Sequence, residues 1–305
     1  MQLLCVLVIF LSAFIGLYSV IDFYRDLKFL QIKTSASSLF FNKLNAVAFA
    51  VMVAMFLGYI VVDITFLFRP YSQENLVIAG IFLFAAIFVF VMTRLTRKLS
   101  TSILEKTDDI MRTLVNVMEA KDPYMRGHSS HVYNIVRVFC NYLPRALIQQ
   151  INQTHLMDAA ILHDIGKIAL NDNLVNNTGK LSDGEWALIK QHPALGKAIL
   201  QNTSYGDIGE IIKLHHERMD GNGYYGVKGP QIPMESRVLA IADTFSALYN
   251  DRGYRGRMSF EDAMRIIRDE AGRQFDAELV NVFASITRED LDATAVGARD
   301  AAVAM

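Results

Sequence analysis

The chain has 305 residues, a formal net charge of −1, 52% hydrophobic residues and 20% charged ones. The charge is uneven: residues 1–98 carry eight Lys/Arg against four Asp/Glu, which leaves 22 basic and 27 acidic residues in 99–305. An acidic second part excludes the concentrated basic face of a polymeric nucleic-acid binder, and Cys5 and Cys140, both in apolar runs, exclude a disulfide framework.

Three apolar runs open the chain. Residues 1–21 have no charged side chain, 44–68 are apolar apart from Asp63, and 76–92 are apolar again. Each is close to the roughly 20 residues of a helical span. Arg25, Lys28, Lys33 and Lys43 separate the first two runs and Arg94, Arg97 and Lys98 follow the third, whereas the turn between the second and third holds only Arg69. The positive-inside tendency therefore puts the amino terminus outside and residues 22–43 and 99 onward in the cytoplasm, as in a multi-pass membrane protein in contact with the lipid bilayer. Asp63 is a candidate proton or ligand site, with an interfacial position as the plainer reading.

Residues 99–121 predict a helix, with Ile103, Leu104, Ile110, Leu114, Val115 and Met118 spaced by threes and fours and no Pro or Gly before Pro123. Such a helix is a candidate for pairing with its copy in a homodimer. Helices are then expected at 128–141, 145–163, 183–201, 207–217, 234–249, 259–271 and 277–286. Ser182 with Glu185 forms a capping box before one of them, and Ser259 with Asp262 a looser version before another. No strand-like alternation persists, so the fold class is all-α. The chain divides into a membrane region with three transmembrane helices (1–98), a helical linker (99–121), a helical domain (122–287) and a flexible C-terminal tail (288–305).

The chemistry gathers at histidine. Of seven, six sit in suggestive phrases: His128 and His131 in GHSSHV, His163 before Asp164 in HDIGK, His192 in QHP, and His215 and His216 at the head of HHERMDGNGYYG. One such residue alone reads as a surface or core histidine. Six together with carboxylates supply the N/O donor set of a hard dication. Asp243, in VLAIADTFSAL, adds a carboxylate on an apolar helix that needs either a metal or an Arg/Lys partner. Lys167 suits a phosphate as a point charge. Arg218, Arg252 and Arg255 offer planar forks for phosphate or guanine edges, with surface ion pairing as the alternative.

The ordered set GHSSHV, HDIGK, LIKQHP, HHERMDGNGYYG and IADTFSALYNDRGYR closely resembles the HD-GYP family, a subgroup of the HD metal-dependent phosphohydrolases, over about residues 110–287. The resemblance implies an HD-type helical phosphohydrolase domain that hydrolyses cyclic di-GMP to linear pGpG, with GMP as a further product left open. The competing readings are a cyclic di-GMP receptor with little or no turnover and a phosphohydrolase for another cyclic dinucleotide or nucleotide. Matched motif by motif, it implies metal-ligand roles for His128, His163, Asp164, His192, His215, His216 and Asp243. The expected cofactors are two divalent ions, iron or manganese first, with magnesium or zinc as alternatives. Asp164 would bridge the ions, and each of His215 and His216 would serve one of them. Asp164 and Lys167 carry catalysis on this reading, and Tyr224, Arg252 and Arg255 contact the substrate.

Several positions depart from the family pattern. Tyr124 replaces the glutamate used for a third metal, His131 stands where arginine is usual, Ser246 where aspartate is usual, and Asn177-Thr178-Gly179 where Lys-Pro-Gly is usual. The signature GYP has become Gly223-Tyr224-Tyr225, which restores an N–H that proline lacks and adds an aromatic ring, a further candidate contact to the nucleotide.

Overall fold

The computed structural model describes residues 2–33, 39–68, 73–122, 126–177, 179–249 and 258–303. They are helical throughout: no strand forms among the described residues, only one isolated bridge between Ala271 and Phe275. The chain separates into two compact units, residues 1–109 and 110–305.

The first unit contains α1 (Gln2–Lys33), α2 (Leu39–Phe68) and most of α3 (Gln73–Lys121). Its burial runs opposite to that of a water-soluble bundle: Ser12, Ser19, Ala79 and Ala86 are buried, while Leu3, Phe14, Phe84 and Phe88 are exposed. The two buried serines lose no hydrogen bond, because each hydroxyl donates to the carbonyl four residues earlier, Val8 and Ile15. Gly16 lets α1 approach the Tyr59 ring of α2, which lies only 3.0 Å from where a Cβ would sit. Asp22, also buried, is neutralised by Arg94 at 3.4 Å and Arg97 at 3.1 Å. By length and composition two helical segments among the described residues, Val6–Arg25 and Leu76–Ile103, suffice to cross a membrane, and Val47–Val62 within α2 is a further apolar stretch. The side chain of Asp63 lies outside the described residues.

The second unit has the ordinary apolar core. In α4 (His128–Tyr142) the positions Val132, Ile135, Val136 and Phe139 form one buried stripe, and His128 and His131 fall on its first turn. Helical periodicity thus carries two imidazoles into the interior. In α11 (Met234–Tyr249), Val238, Leu239, Ala242, Phe245 and Tyr249 do the same beside Asp243. Phe139 and Phe245 each meet Phe283 of α13 (Ala277–Phe283) edge-on, with centroids 5.0 and 5.3 Å away.

Several expected helices are interrupted where polar side chains or proline terminate them. The stretch 145–163 is α5 (Arg145–Ile148) and α6 (Gln153–Leu162), separated at Asn152, whose side chain caps α6 through the His155 N–H. A short helix, α7 (Asp172–Val175), starts at Asn171 by the same device. The stretch 183–201 is α8 (Asp183–Ile189), with the Ser182/Glu185 capping box formed, and α9 (His192–Leu200), restarted around Pro193. Residues 207–217 reduce to α10 (Gly209–Lys213) and two flanking turns. α12 (Phe260–Asp269) is capped by Ser259 as expected.

The segment expected to be a flexible tail is α14 (Arg288–Val303). Alanine is the best helix former, and one bulky residue is enough to dock this helix: Leu291 is fully buried and Thr294 nearly so, both against α4. Burying one leucine contributes about 2 kcal/mol. Tyr142 of α4 donates a short hydrogen bond to Asp290 at the same contact.

Candidate metal centre

Local structure delivers each donor to one place. α6 ends at His163-Asp164, and the chain then turns through a tight helical turn, Ile165–Ala169. Gly166 presses this turn onto the start of α9: a Cβ there would lie 1.8 Å from the His192 carbonyl oxygen, so no side chain fits. The approach sets His192 Nε2 3.2 Å from Asp164 Oδ1. Asp164 Oδ2 lies 3.3 Å from His163 Nε2, so one carboxylate faces two histidines with different oxygens. Asp243 Oδ1 is 3.0 Å from His128 Nε2 and 3.8 Å from His163 Nε2. His215 and His216 arrive from the turn after α10, with their rings 3.9 Å apart, and both pack on His192.

The orientation of these rings is fixed from behind. His163, His192 and His215 each donate Nδ1–H to the carbonyl three residues earlier, Ala160 at 3.0 Å, Ile189 at 2.8 Å and Ile212 at 2.6 Å. A neutral imidazole that donates from Nδ1 carries a lone pair on Nε2. Those three Nε2 atoms are buried with no hydrogen-bond partner. Orphaned buried acceptors are costly, and three converging ones require a shared positive partner. A divalent cation fits: ligand atoms at right angles around an ion at about 2.1 Å lie about 3 Å apart, the spacing seen between the imidazole nitrogens and the carboxylates.

Two donor groups result. His128, His163 and Asp164 form one and His192, His215 and His216 the other, with donor atoms inside each group within 4.8 Å of one another. Such clustering suggests the two-metal site of HD enzymes. Both His215 and His216 fall in the His192 group, whereas the sequence expectation divides them between the ions; His215 also packs 5.3 Å from the His163 ring.

The electrostatics match. Burial opposes ionisation of Asp164, but Lys167 and the neighbouring imidazoles override it and hold the carboxyl well below its ordinary range. Asp243 is held low in the same way, by the His128 hydrogen bond and the other imidazoles. Burial and the crowding of His216 depress His215, and burial brings His216 down to about 4, so both stay neutral at pH 7. His163 runs the other way: Asp164 and Asp243 raise it against the effect of burial. Lys167 donates to Asp164 at 2.8 Å and pairs with Asp122 at 3.9 Å. It sits within the tight turn and not on a continuing helix, and the two carboxylates raise its pKa against burial.

Beside the histidines opens a cavity of about 220 Å³ lined by His215, His216, Glu217, Arg218, Asn222, Gly223, Tyr224, Ala240, Thr244 and Gln274. Tyr224 packs 4.7 Å from His216, and burial followed by the two carboxylates pushes its phenol up to about 12. Arg218 lines the cavity but is not free for phosphate: its guanidinium donates to Asp220, Gln274 and Glu270. A substrate role for Arg218 would require it to leave some of these acceptors. Tyr225 does not line this cavity; its hydroxyl donates to the Lys190 carbonyl at 3.2 Å and its ring lies under Lys213. Arg252, Arg255, Tyr124 and Thr178 lie outside the described residues; Asn177 makes a local turn to the Gly179 N–H, and Lys180 is exposed.

Sequence reading missed two supports. Glu217, only 4% exposed, accepts the N–H groups of Tyr225 and Val227, both at 2.7 Å, and organises the whole glycine-rich loop. Gly223 is obligatory there, because a Cβ would come within 2.6 Å of the Glu217 Cα. Its sequence signal was an acid just ahead of a loop full of unpaired N–H groups. The second support is a chain of hydrogen bonds behind His128: Nδ1 to Ser246 Oγ at 2.9 Å, Ser246 to His131 Nδ1 at 2.9 Å, and His131 Nε2 to Thr294 Oγ1 at 3.0 Å. The two departures His131 and Ser246 are thus partners of one another, and Thr294 left no sequence signal.

The HD domain family model matches residues 112–279. Among curated proteins, 3'3'-cGAMP-specific phosphodiesterase 3 of Vibrio cholerae serotype O1 is 33% identical over 172 residues, covering 55% of this chain and 36% of that protein. A probable cyclic di-GMP phosphodiesterase of the same organism is 32% identical, covering 58% and 43%. The cyclic di-GMP phosphodiesterase response regulator RpfG of Xanthomonas campestris pv. campestris is 39% identical over 127 residues, covering 40% and 34%. The chain thus spans less than half the length of these relatives.

Proposed function

The chain belongs to the HD domain family, and from that premise we propose that it is a metal-dependent phosphodiesterase acting on a cyclic dinucleotide, cyclic di-GMP first, with linear pGpG as product. The observation that carries this reading is a set of three buried Nε2 atoms without a hydrogen-bond partner, two of which, on His163 and His192, lie 3.2–3.8 Å from the Asp164 and Asp243 carboxylates. His128, His163, Asp164 and Asp243 would hold one dication, and His192, His215 and His216 with the other oxygen of Asp164 the second; iron or manganese suits the mixed N/O set.

When bound, the ions supply Lewis-acid stabilisation of phosphoryl charge and activation of water at neutral pH. The protein's own groups do the rest. Asp164 is kept ionised by Lys167, and Lys167, held between Asp164 and Asp122, would set its positive charge beside a phosphate at the centre. Tyr224, protonated at any physiological pH, offers a ring face and an O–H to the nucleotide. The cavity of about 220 Å³ beside the histidines would receive a phosphate and its nucleoside against Tyr224.

We also propose that the first unit anchors the protein in the cell membrane, with the metal centre in the cytoplasm. Outward Phe and Leu over inward Ser and Ala support this, as do two segments long enough to span. A three-span topology follows from the basic residues flanking the runs.

The deciding experiment incubates the full chain in detergent, loaded with Mn²⁺ or Fe²⁺, with cyclic di-GMP and separately with 3'3'-cGAMP, resolving products by chromatography. Metal-dependent pGpG from the parent and none from Asp164→Ala is the expected result. Tight binding of cyclic di-GMP with no product would make the protein a receptor, and turnover of 3'3'-cGAMP alone would change the substrate.

A further inference from the structure

The turn that carries Lys167 is fastened from outside the donor groups, at the end of α3. This turn, Ile165–Ala169, closes on itself through Lys167 N–H to the Asp164 carbonyl at 2.9 Å and Leu170 N–H to the Lys167 carbonyl at 3.0 Å. The carbonyls of Ile168 and Leu170 lie at its open end, where a helical turn has no N–H of its own to offer them. Lys121, the last residue of α3, supplies the donors: its ammonium donates to the Ile168 carbonyl at 2.6 Å and to the Leu170 carbonyl. An ammonium has three N–H donors, and Asp172 Oδ1 lies within reach of the third at 3.1 Å.

A surface lysine ordinarily serves as a solvated ion pair, and Asp172, whose side chain is 76% exposed, offers a pair of the kind that contributes little. The Lys121 side chain is only 19% exposed, however, and its two carbonyl acceptors stand 47 and 49 positions along the chain. The next residue completes the attachment. Asp122 N–H closes on the Met118 carbonyl at 3.0 Å, so Asp122 is still carried by α3, and its buried carboxylate lies 3.9 Å from Lys167 Nζ. Met118 is itself buried in the apolar core. The same stretch holds the start of α4, since Glu119 Oε1 accepts the N–H of Gly127, the residue before His128, at 2.8 Å. The helix that contains the membrane-length segment Leu76–Ile103 therefore ends on the two elements that bring in His128, Asp164 and Lys167.

We infer that Lys121 is a positioning residue for Lys167: by tying the Ile168 and Leu170 carbonyls to the end of α3, it fixes the turn so that the Lys167 ammonium stays between Asp164 and Asp122. Lys121 does not line the cavity beside the histidines and acts through the backbone that follows Lys167. Without it Lys167 keeps the 2.8 Å bond to Asp164 on its own turn, but its separation from Asp122 on α3 is no longer set. A misplacement of about 1 Å is enough to slow a chemical step. The inference rests on reading Lys167 as part of a phosphodiesterase site, and it puts the placement of that residue under a helix that supplies no metal ligand.

Two measurements on the full chain in detergent test it, with Lys121→Met, which keeps the length of the side chain and removes its donors. Deuterium exchange needs no turnover: the amides of Lys167 and Leu170 should exchange about tenfold faster in the variant, with uptake in α11 unchanged. In the Mn²⁺-loaded protein acting on cyclic di-GMP, kcat should fall about tenfold or more, while KM stays within about twofold and bound Mn²⁺ is unchanged. Lys121→Arg, whose guanidinium can serve both carbonyls, should recover most of kcat. Lys121→Gln, too short to reach both, should match the methionine variant and serves if that variant folds poorly. Unchanged exchange in the turn overturns the inference alone. So does a lowered melting temperature with the parent's kcat, because Lys121 would then be merely structural. A parent chain that turns over neither cyclic di-GMP nor 3'3'-cGAMP overturns the phosphodiesterase reading and the positioning role with it.

Discussion

Two buried polar assemblies sit within the second unit and follow opposite rules. Around Glu217 both carboxylate oxygens receive a backbone N–H, and the adjoining Arg218 is surrounded by its own acceptors. Around Asp164 the imidazole donors are all spent on the side away from the centre, and the Nε2 acceptors are left facing one another. A buried polar group without a partner costs about 1–3 kcal/mol, so a bound cation would relieve the second arrangement. The difference separates architecture from site: satisfied networks hold the loop, and the unsatisfied one waits for cations.

The most severe break of that contrast is Asp164→Ala. It removes the carboxylate that faces both donor groups, so bound metal should fall from two ions to one or none and hydrolysis to the buffer background. Elemental analysis beside product chromatography reads both. Two ions retained in the variant would mean that Asp164 does not link the groups.

The converse break attacks a satisfied network. Tyr225→Pro deletes the N–H that Glu217 Oε1 accepts at 2.7 Å, stranding half of a buried carboxylate. The expected cost is about 1–3 kcal/mol in denaturant unfolding, with metal content unchanged. The altered ending of the GYY loop is thus part of its construction: the donor that tyrosine restores is in use. An unchanged unfolding midpoint would show that the loop tolerates the loss and that Glu217 is not its anchor.

How much of this was legible beforehand depended on distance along the chain. The buried stripe of α4, Val132-Ile135-Val136-Phe139, declares its helix from spacing alone, and the same spacing carries His128 and His131 inward. The helix breaks at Asn152 and Lys190 were missed because both neighbouring stretches are apolar enough to continue, and only cap geometry shows which side chain ends them. The histidine set could be gathered from motifs, but its division into groups could not, since that depends on Gly166 bringing α9 against the HD turn. Thr294 was invisible: 163 positions separate it from His131, and nothing in an alanine-rich stretch marks one hydroxyl as a partner. Arg218 stayed ambiguous, because a lone arginine beside a glycine-rich loop looks the same whether its acceptors are phosphates or Asp220, Glu270 and Gln274.

Acid sharpens the contrast in the metal-free chain. His215 and His216 are neutral in the fold with depressed pKa values, His216 at about 4, and regain an ordinary value near 6.5 when unfolded. Between those values the unfolded chain binds protons that the folded one refuses, so stability falls as pH drops from about 6.5 toward 4. His163 opposes this, since its raised pKa gives stability that is fully present below about 6.5 and lost as pH rises through its folded value. Asp158, pushed up to about 6 by burial, and Glu119, also raised by burial, oppose it too, so a net loss on the acid side requires His215 and His216 to outweigh all three. Asp164 and Asp243 lose their contribution only below the ordinary carboxylate range, outside this window. Urea midpoints in chelator at pH 7.5, 6 and 5 should decline in that order; a rising series would show that His163, Asp158 and Glu119 together dominate.

The smallest expected effect is at Arg218, and its smallness is the point. If its guanidinium gripped a phosphate, Arg218→Gln would remove a charge-assisted hydrogen bond and raise KM about tenfold or more. Its donors instead reach Asp220, Gln274 and Glu270, three acceptors of the protein itself, in a partly exposed setting where such pairs contribute little. KM should therefore change by less than about threefold with kcat unaltered, and the only clear consequence should be a slightly lower melting temperature as Asp220 and Glu270 lose their shared partner. A large rise in KM at constant stability would move Arg218 from the satisfied network to the site, and would mean that substrate draws it away from both acids.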